Sequence, residues 1–435
     1  MKKFVTFILY SIAVLHSYGQ SAESFLNLGD IRAKKDDYTG AIVDYTKAIE
    51  LNPKFAEAYY KRGNAKNELQ DYKGAITDYD IAIELNPKDA DFYNNRGIAK
   101  VELQDYKGAI ADYDIAIKLN PKDDDFYNNR GNAKVELQDY KGAITDYDIA
   151  IELNPKDADF YYNRGIAKVE IQDYEGAITD YDIAIKLNPK DADFYNNRGI
   201  AKVELQDYKG AITDYDIAIE LNPKDADFYY NRGKLQNYRD AIADYTKVIQ
   251  LNPKFAEAYF KRGLAKVNLK DYKGAIADYN KAIELNPYNT DAYSNRGLAM
   301  VNLQNYRGAI ADYTKAIEFN PYNADYYYYR GVAKYNLKDY RGAIADYTKY
   351  IELNPYYADA YFKRGFVKFN LQDYRGAIVD YDKAIELYPK DEKAYRNRAA
   401  AKYILNDKDG ACLDWSKAGE LGDVNVYDLI KKYCN

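Results

Sequence analysis

The chain has 435 residues, of which 47% are hydrophobic and 30% charged, and this balance argues for a folded protein and against a disordered one. Its 62 basic and 68 acidic residues give a formal net charge of −6, and a mildly acidic protein is poorly suited to bind a nucleic-acid backbone. Tyrosine is over-represented, with 51 residues against 15 phenylalanines and one tryptophan. Because tyrosine joins an apolar ring to a polar tip, this composition favours a fold with much half-buried surface.

The first 19 residues have the pattern of a secretory signal peptide. Two lysines precede an apolar run at 4–15 that is too short to span a bilayer, and Ser17 and Gly19 are the small residues expected before a cut. Cleavage would remove the only histidine, His16, and both lysines, so the net charge would become −8. We therefore expect an exported protein, periplasmic or extracellular, with no membrane span in its mature form. An uncleaved N-terminal anchor is the alternative.

The rest of the sequence is organised by a repeat of 34 residues. All 11 prolines lie at this spacing except for one step of 30 residues. They are Pro53, Pro87, Pro121, Pro155, Pro189, Pro223, Pro253, Pro287, Pro321, Pro355 and Pro389. Twelve repeats are predicted within residues 20–423, starting near residues 22, 56, 90, 124, 158, 192, 226 (a short repeat), 256, 290, 324, 358 and 392. Such an array grows by adding repeats and not by enlarging one core.

Each repeat is predicted to be a pair of helices, as the second one shows. Tyr59 and Leu69 fall on one apolar stripe of a first helix. Asp71 is placed to cap a second helix, whose own stripe contains Tyr79. Pro87 ends that helix, because the residue before a proline is pushed out of helical geometry. A hairpin with one apolar face must stack against its neighbours to bury that face.

The period and one recurring set of residues resemble the tetratricopeptide repeat. In the second repeat this set is Tyr59, Gly63, Ala65, Tyr72, Ala75, Tyr79, Ala82 and Pro87. The resemblance implies an all-α fold, a right-handed superhelical α-solenoid of about twelve helix-turn-helix repeats. It also implies that the first helices line a concave groove that binds proteins or peptides.

One departure from the family pattern recurs from repeat to repeat. Arginine stands before the glycine of each first helix, where the family usually has leucine, as at Arg62, and the predicted signal with this Arg-Gly pair suggests a secreted bacterial type. An aspartate also precedes the second-helix tyrosine, as at Asp78. We expect an Arg–Asp ion pair within each hairpin or between neighbours. A ladder of arginines that binds an anionic ligand is the alternative.

The sequence offers little for catalysis. None of the four serines and two cysteines of the mature protein has a base motif beside it. Carboxylate pairs recur in every repeat, whereas a catalytic pair should be singular. The acidic cluster at Asp123–Asp125 lacks the glycine and distant glutamate of a calcium loop. We therefore expect no enzyme, no cofactor and no metal site.

By the resemblance, positions two, five, nine, twelve and thirteen of each repeat face the groove. The aromatic and apolar groove residues would be Tyr60, Tyr162, Phe260, Leu264, Tyr328, Tyr335, Phe362, Phe366 and Phe369. The acidic ones would be Asp91, Asp125, Asp159, Asp193, Glu102 and Glu136. These residues predict a scaffold or adaptor for an extended segment that is basic or neutral, with apolar anchors in repeats ten and eleven.

Two alternatives to this groove hypothesis remain open. The aromatic residues could close the groove by packing on each other. The protein could instead be a structural spacer, or a subunit of an envelope complex bound through its edges, with the groove unused.

Two places depart from the regular repeat. Repeat seven lacks four residues between Gly233 and Leu235, which predicts a shortened first helix and a weak point near residues 234–238. Residues 424–435 are predicted to form a capping helix. Cys412 and Cys434 suggest a disulfide that fixes this cap. Two free thiols are the alternative.

Overall fold

The computed structural model describes residues 21–434, so the predicted signal peptide lies outside the described residues. Every regular element in this range is a helix, which confirms the all-helical fold. The molecule divides into two compact parts, which we call the N-terminal block (to Pro223) and the C-terminal block (from Lys224). Nothing among the described helices combines the length and apolar character needed to traverse a bilayer.

The N-terminal block contains six helix pairs, and each helix packs on the next. Its helices are α1 (Ala22–Ala33), α2 (Tyr38–Leu51), α3 (Ala56–Glu68), α4 (Tyr72–Leu85), α5 (Ala90–Glu102), α6 (Tyr106–Leu119), α7 (Asp124–Glu136), α8 (Tyr140–Leu153), α9 (Ala158–Glu170), α10 (Tyr174–Leu187), α11 (Ala192–Glu204) and α12 (Tyr208–Leu221).

The C-terminal block continues the pattern with six more pairs and a terminal helix. Its helices are α13 (Ala226–Gly233), α14 (Tyr238–Leu251), α15 (Ala256–Asn268), α16 (Tyr272–Leu285), α17 (Thr290–Asn302), α18 (Tyr306–Phe319), α19 (Ala324–Asn336), α20 (Tyr340–Leu353), α21 (Ala358–Asn370), α22 (Tyr374–Leu387), α23 (Glu392–Ile404), α24 (Lys408–Glu420) and α25 (Tyr427–Tyr433).

Local sequence sets where the helices begin and end. Asp71 caps α4 as predicted, since its carboxylate accepts a hydrogen bond from the backbone N–H of Gly74 at 3.1 Å. Gln70, between α3 and α4, has φ 62°, and ten other non-glycine residues at the same place in their repeats also have positive φ. This left-handed residue turns the backbone sharply between the two helices of a pair. Leu69, predicted to lie on the apolar stripe, instead follows the end of α3 and is 47% exposed.

The core of each hairpin is small and closely packed. Tyr79 on α4 is 1% exposed, and Ala75 and Ala82 on the same helix are fully buried. A Cβ added to Gly63 on α3 would lie 2.6 Å from Cε1 of Tyr79. Glycine at this position therefore lets the two helices approach, and the tyrosine ring fills the space between them.

The regular arginine forms the expected ion pair. Two guanidinium nitrogens of Arg96 donate to Asp112 of the same repeat, which is buried, and Lys100 Nζ lies 2.7 Å from the same carboxylate. The remaining nitrogen of Arg96 donates to Asp80 of the preceding repeat at 2.7 Å. The guanidinium also lies 5.5 Å from the ring centroid of Tyr93. With its donors engaged in this way, the arginine is a packing element that joins neighbouring repeats.

Repeat seven has the short first helix that its four missing residues imply. Helix α13 has 8 residues, whereas α11 and α15 each have 13. Asn237 caps α14 in an extended conformation, and Asp240 occupies the place that a glycine has in the preceding repeats. The weak point expected near residues 234–238 stays a prediction.

The C-terminal end differs in detail from the predicted single capping helix. A short 3-10 helix, Val424–Val426, precedes α25, and the backbone turns into it through Gly422, which has φ 104°. Trp415 of α24 packs against this end together with Val426. Cys412 and Cys434 are joined by a disulfide with a Cα–Cα distance of 5.7 Å, inside the usual range for such bonds.

Candidate functional site: the first-helix face

Within each block, the first helices of successive repeats form one continuous face. The first helices of adjacent repeats contact each other directly; examples are α3 with α5, α5 with α7, and α17 with α19. Among the described residues, pairs of second helices show no comparable contact. The first helices therefore lie on the crowded inner side of each block, where the family resemblance places a groove. We call this surface the first-helix face.

The N-terminal block carries an acidic row on this face. Asp91, Asp125 and Asp159 occupy the same position in successive repeats and are exposed. Burial of part of each carboxyl and the charge of a neighbouring aspartate raise the pKa of all three. Asp193 continues the row, and Glu102 and Glu136 stand exposed at the ends of α5 and α7. A face with this charge attracts cations and repels anionic partners.

Polar pairs that the sequence did not single out join the first helices of this block. Asn129 donates to the side-chain oxygen of Asn94 at 3.0 Å, one repeat away, and Asn163 donates to Asn128 at the same distance. The tyrosines take part as well, since Asn197 donates to the hydroxyl of Tyr162 at 3.0 Å. In the sequence, these contacts are marked only by an amide residue that recurs at one position of the repeats. The spacing of such residues does not show which side chain each of them contacts.

Tyr60 and Tyr162 are only half exposed, because each ring packs into the boundary between two repeats. The Tyr162 ring lies 4.9 Å from the Phe194 ring, and the Tyr60 ring lies 4.8 Å from the Phe92 ring. A cavity of about 380 Å³ opens beside Tyr162. Its lining includes Asp159 and two further aspartates but no lysine or arginine. This part of the face is therefore polar and negatively charged.

The C-terminal block carries a strip of aromatic side chains on the same face. The Tyr335 ring lies 5.8 Å from Phe366, and Phe366 lies 6.2 Å from Phe362 in a stacked arrangement. Phe369 contacts Tyr374 edge-on at 5.2 Å. The four predicted residues, Tyr335, Phe362, Phe366 and Phe369, are all half-buried, so each keeps part of its ring at the surface. We call these four residues the aromatic strip.

Two predicted aromatic anchors are placed differently. Phe260 is only 7% exposed, because it packs into the core beside Tyr279 with small alanines around it. It is thus a core residue, and half-buried Leu264 packs against the same core. Tyr328 is half-buried, and its hydroxyl donates to Asp359. Its ring also lies 5.4 Å from that of Tyr350, which stands where other repeats have a small residue.

The sequence matches the tetratricopeptide repeat family over most of its length. Stretches described as "TPR repeat" match at 29–70, 63–104, 99–138, 131–172, 167–206, 201–237, 234–270 and 265–304. Stretches described as "Tetratricopeptide repeat" match at 295–358 and 358–391. The chain belongs to the tetratricopeptide repeat family. Members of this family mediate contacts between proteins and are typically non-catalytic.

No curated protein matches the sequence. Among solved structures, MamA is 29% identical; the match covers 37% of the present sequence and 93% of MamA, with a TM-score of 0.36. YrrB, described as a tetratricopeptide repeat protein with an unusual peptide-binding site, is 26% identical, with 41% and 92% covered and a TM-score of 0.37. Yeast Tom70 is 18% identical, with 87% and 94% covered and a TM-score of 0.35.

Residues 21–434 contain no group of three or more histidine, cysteine, aspartate or glutamate side chains arranged to hold a metal ion. Several of the aspartates that directly precede a first helix cap that helix instead. Asp89, for example, accepts from the backbone N–H of Asp91 at 3.2 Å.

Proposed function

We propose that this tetratricopeptide repeat protein is an exported scaffold or adaptor, without enzymatic activity, that holds an extended segment of a partner protein along its first-helix face. The observation that carries this proposal is the aromatic strip of α19 and α21. Rings that are half exposed and in mutual contact supply apolar area at little conformational cost, and such residues are enriched among binding hot spots.

In repeats three, four and six of the N-terminal block, the same positions hold smaller or polar residues. Asn94 stands where Phe362 does, Ile98 where Phe366 does, and Val101 where Phe369 does. The fold of a repeat therefore does not require the large rings, since these repeats form the same helix pairs without them. This difference favours a binding role for the strip over a role in packing alone.

The acidic row defines the chemistry of the expected partner. Consecutive exposed aspartates would repel an acidic segment and attract a basic one. The partner segment is accordingly basic or neutral overall, with apolar side chains that contact the strip. Attraction by the row acts at long range and weakens as salt screens it.

Partner capture with the full mature protein, followed by mapping of crosslinks, tests the proposal. Replacing Phe362, Phe366 and Phe369 with alanine should remove most of the capture, and crosslinks in the unaltered protein should fall on first helices. Salt at about 0.5 M should weaken the residual capture by this variant. The matched control replaces Asn94, Ile98 and Val101 with alanine and should keep most of the capture.

Unchanged capture by the phenylalanine variant, with circular dichroism showing an intact fold, would remove the strip from the binding site. Crosslinks confined to second helices or to the two ends of the protein would instead support a spacer bound through its edges.

A further inference from the structure

Three consecutive turns of the C-terminal block each present an exposed tyrosine. These turns join α16 to α17, α18 to α19 and α20 to α21, and in each of them the tyrosine directly follows the proline. Tyr288 is 75% exposed, and Tyr322 and Tyr356 are each 83% exposed, the highest values among the large hydrophobic side chains of residues 21–434. We call these three residues the turn tyrosines.

The equivalent turns of the earlier repeats carry charges instead. Lysine follows the proline in seven of them, at Lys54, Lys88, Lys122, Lys156, Lys190, Lys224 and Lys254. In five of these seven turns the lysine is followed by aspartate, whereas asparagine or tyrosine follows each turn tyrosine. Three neighbouring turns have thus exchanged charged side chains for a ring and a neutral residue. The fold does not require this exchange, since the turns with lysine join the same kind of helices.

Packing within the protein does not account for the turn tyrosines. The Tyr288 ring contacts Phe319 edge-on at 5.5 Å, but the ring itself stays largely in solvent. Among residues 21–434, no other aromatic ring packs on Tyr322 or Tyr356. Three large rings held at the surface of adjacent repeats indicate a binding surface.

Side-chain amides lie next to these rings. Oδ1 of Asn286 accepts from the backbone N–H of Tyr288 at 3.2 Å, and Oδ1 of Asn320 accepts from that of Tyr322 at 3.4 Å. Asn289 caps α17 through its own Oδ1. In all three asparagines the NH₂ group donates to no described residue, so it can donate to a ligand oxygen.

We propose that the turn tyrosines bind a neutral, linear polysaccharide of β-1,4-linked sugars. One face of such a sugar ring is formed by C–H groups and stacks on an aromatic ring, while the sugar's hydroxyls accept hydrogen bonds from amides. The same side chain recurs at the same place in three repeats, which suits a ligand of identical units better than a peptide, whose side chains vary. Hot spots for proteins lie in desolvated pockets, whereas these rings protrude.

The spacing of the turns fits such a chain. Helix α17, which follows the first of these turns, contacts α19, which follows the second. Packed helices lie on the order of 10 Å apart, so successive turn tyrosines are separated by a similar distance. An extended β-1,4-linked chain presents the same ring face again after two sugars, a comparable length. The site lies on the turns, so it does not depend on the proposed use of the first-helix face.

Calorimetric titration of the full mature protein with oligosaccharides tests the proposal. The probes are the hexamers of β-1,4-linked glucose and of β-1,4-linked N-acetylglucosamine, and their comparison identifies the sugar. At least one of them should bind with saturation and more tightly than its own disaccharide, which can contact only one turn. The hexamer of α-1,4-linked glucose should bind more weakly, because its chain coils and does not present its rings in a line.

The decisive variant combines Tyr288→Lys, Tyr322→Lys and Tyr356→Lys. Lysine is the residue that the other turns carry, so the fold should persist, and circular dichroism verifies this. The affinity for the hexamer should fall about tenfold or more, because three stacking contacts are lost. The matched control replaces lysine with alanine in three turns of the N-terminal block and should bind as the unaltered protein does. Its positions are Lys88, Lys122 and Lys156.

Absence of saturable binding of both β-linked hexamers overturns the proposal, as does equal binding by the lysine variant. Loss of partner capture in the lysine variant, when neither hexamer binds, would assign the turn tyrosines to a protein and overturns it too. The alanine variant of the aromatic strip should bind the hexamer normally. Because the sugars need no partner protein, failure here can be told from failure of the proposed scaffold function.

Discussion

The two blocks share the same core contacts within each helix pair and differ in the side chains on the first-helix face. In both, an aspartate such as Asp146 or Asp312 is buried beneath an arginine, and a glycine faces a buried tyrosine. Position five of the first helix, by contrast, is asparagine in repeats three, four and six and an aromatic residue in repeats ten and eleven. Residues common to both blocks therefore build the fold, and residues that differ are where function can be sought.

The largest expected effect comes from the buried aspartates. Asp146 neutralises both Arg130 and Lys134, with N–O distances of 2.6 and 2.7 Å, whereas Asp312 has Arg296 alone because Met300 replaces the lysine. Asp146→Asn should lower the free energy of local unfolding by about 3–5 kcal/mol, since it removes the buried counter-charge that Arg130 and Lys134 share. Asp312→Asn should cost clearly less. Amide hydrogen exchange in the altered helix pair measures both.

The exposed Glu152→Gln serves as the control for the Asp146 variant and should change exchange by little. Equal losses at Asp146 and Asp312 would show that the lysine contributes nothing and would remove this difference between the blocks.

A smaller effect is expected at the glycine that faces the core tyrosine. A Cβ on Gly131 would lie 2.7 Å from Cε1 of Tyr147, which is 1% exposed, whereas on Gly233 its nearest contacts are at 3.2 Å. Gly131→Ala should destabilise its hairpin by about 1–2 kcal/mol, because overpacking outweighs the gain in helix propensity. Gly233→Ala should be close to neutral. Urea unfolding of the two variants compares them, and a stabilised Gly131→Ala would contradict this close packing.

The smallest effect concerns the contact between neighbouring repeats. Arg130 donates to Asp114, which is 55% exposed, while its counterpart Arg330 donates to the hydroxyl of Thr314. Asp114→Thr should therefore cost less than about 1 kcal/mol, since exposed ion pairs contribute little. The cost should vanish at about 1 M salt, because salt screens the ion pair and leaves the neutral contact unaffected. Thr314→Asp is the reciprocal variant, and a salt-independent difference would argue against an electrostatic origin.

The regular features of the fold could be predicted from the sequence because each depends on local, repeated chemistry. The cap at Asp71, the end of the helix before Pro87 and the pairing of arginine with the buried aspartate are fixed within one repeat or between two adjacent ones. Because the pattern recurs many times, the helix prediction does not depend on the ambiguous preference of any single residue.

The singular features could not be predicted in the same way. Phe260 lies in the core because the side chains around it are small. The hydroxyl of Tyr328 donates a hydrogen bond to Asp359 of the next repeat. Such outcomes depend on three-dimensional neighbours that periodicity does not specify.

The ion pair that crosses each boundary between repeats two to six has a consequence for how this protein can change in length. Arg96 pairs with Asp80, and Arg130 pairs with Asp114. Each boundary in this group therefore joins an arginine of one repeat to an aspartate of the preceding one. If residues 90–123 were excised, Arg130 would meet Asp80 in the geometry that Arg96 has now. Whole repeats in this part of the molecule are thus interchangeable modules, and recombination between their near-identical coding segments can lengthen or shorten the protein in steps of one helix pair while every junction stays intact.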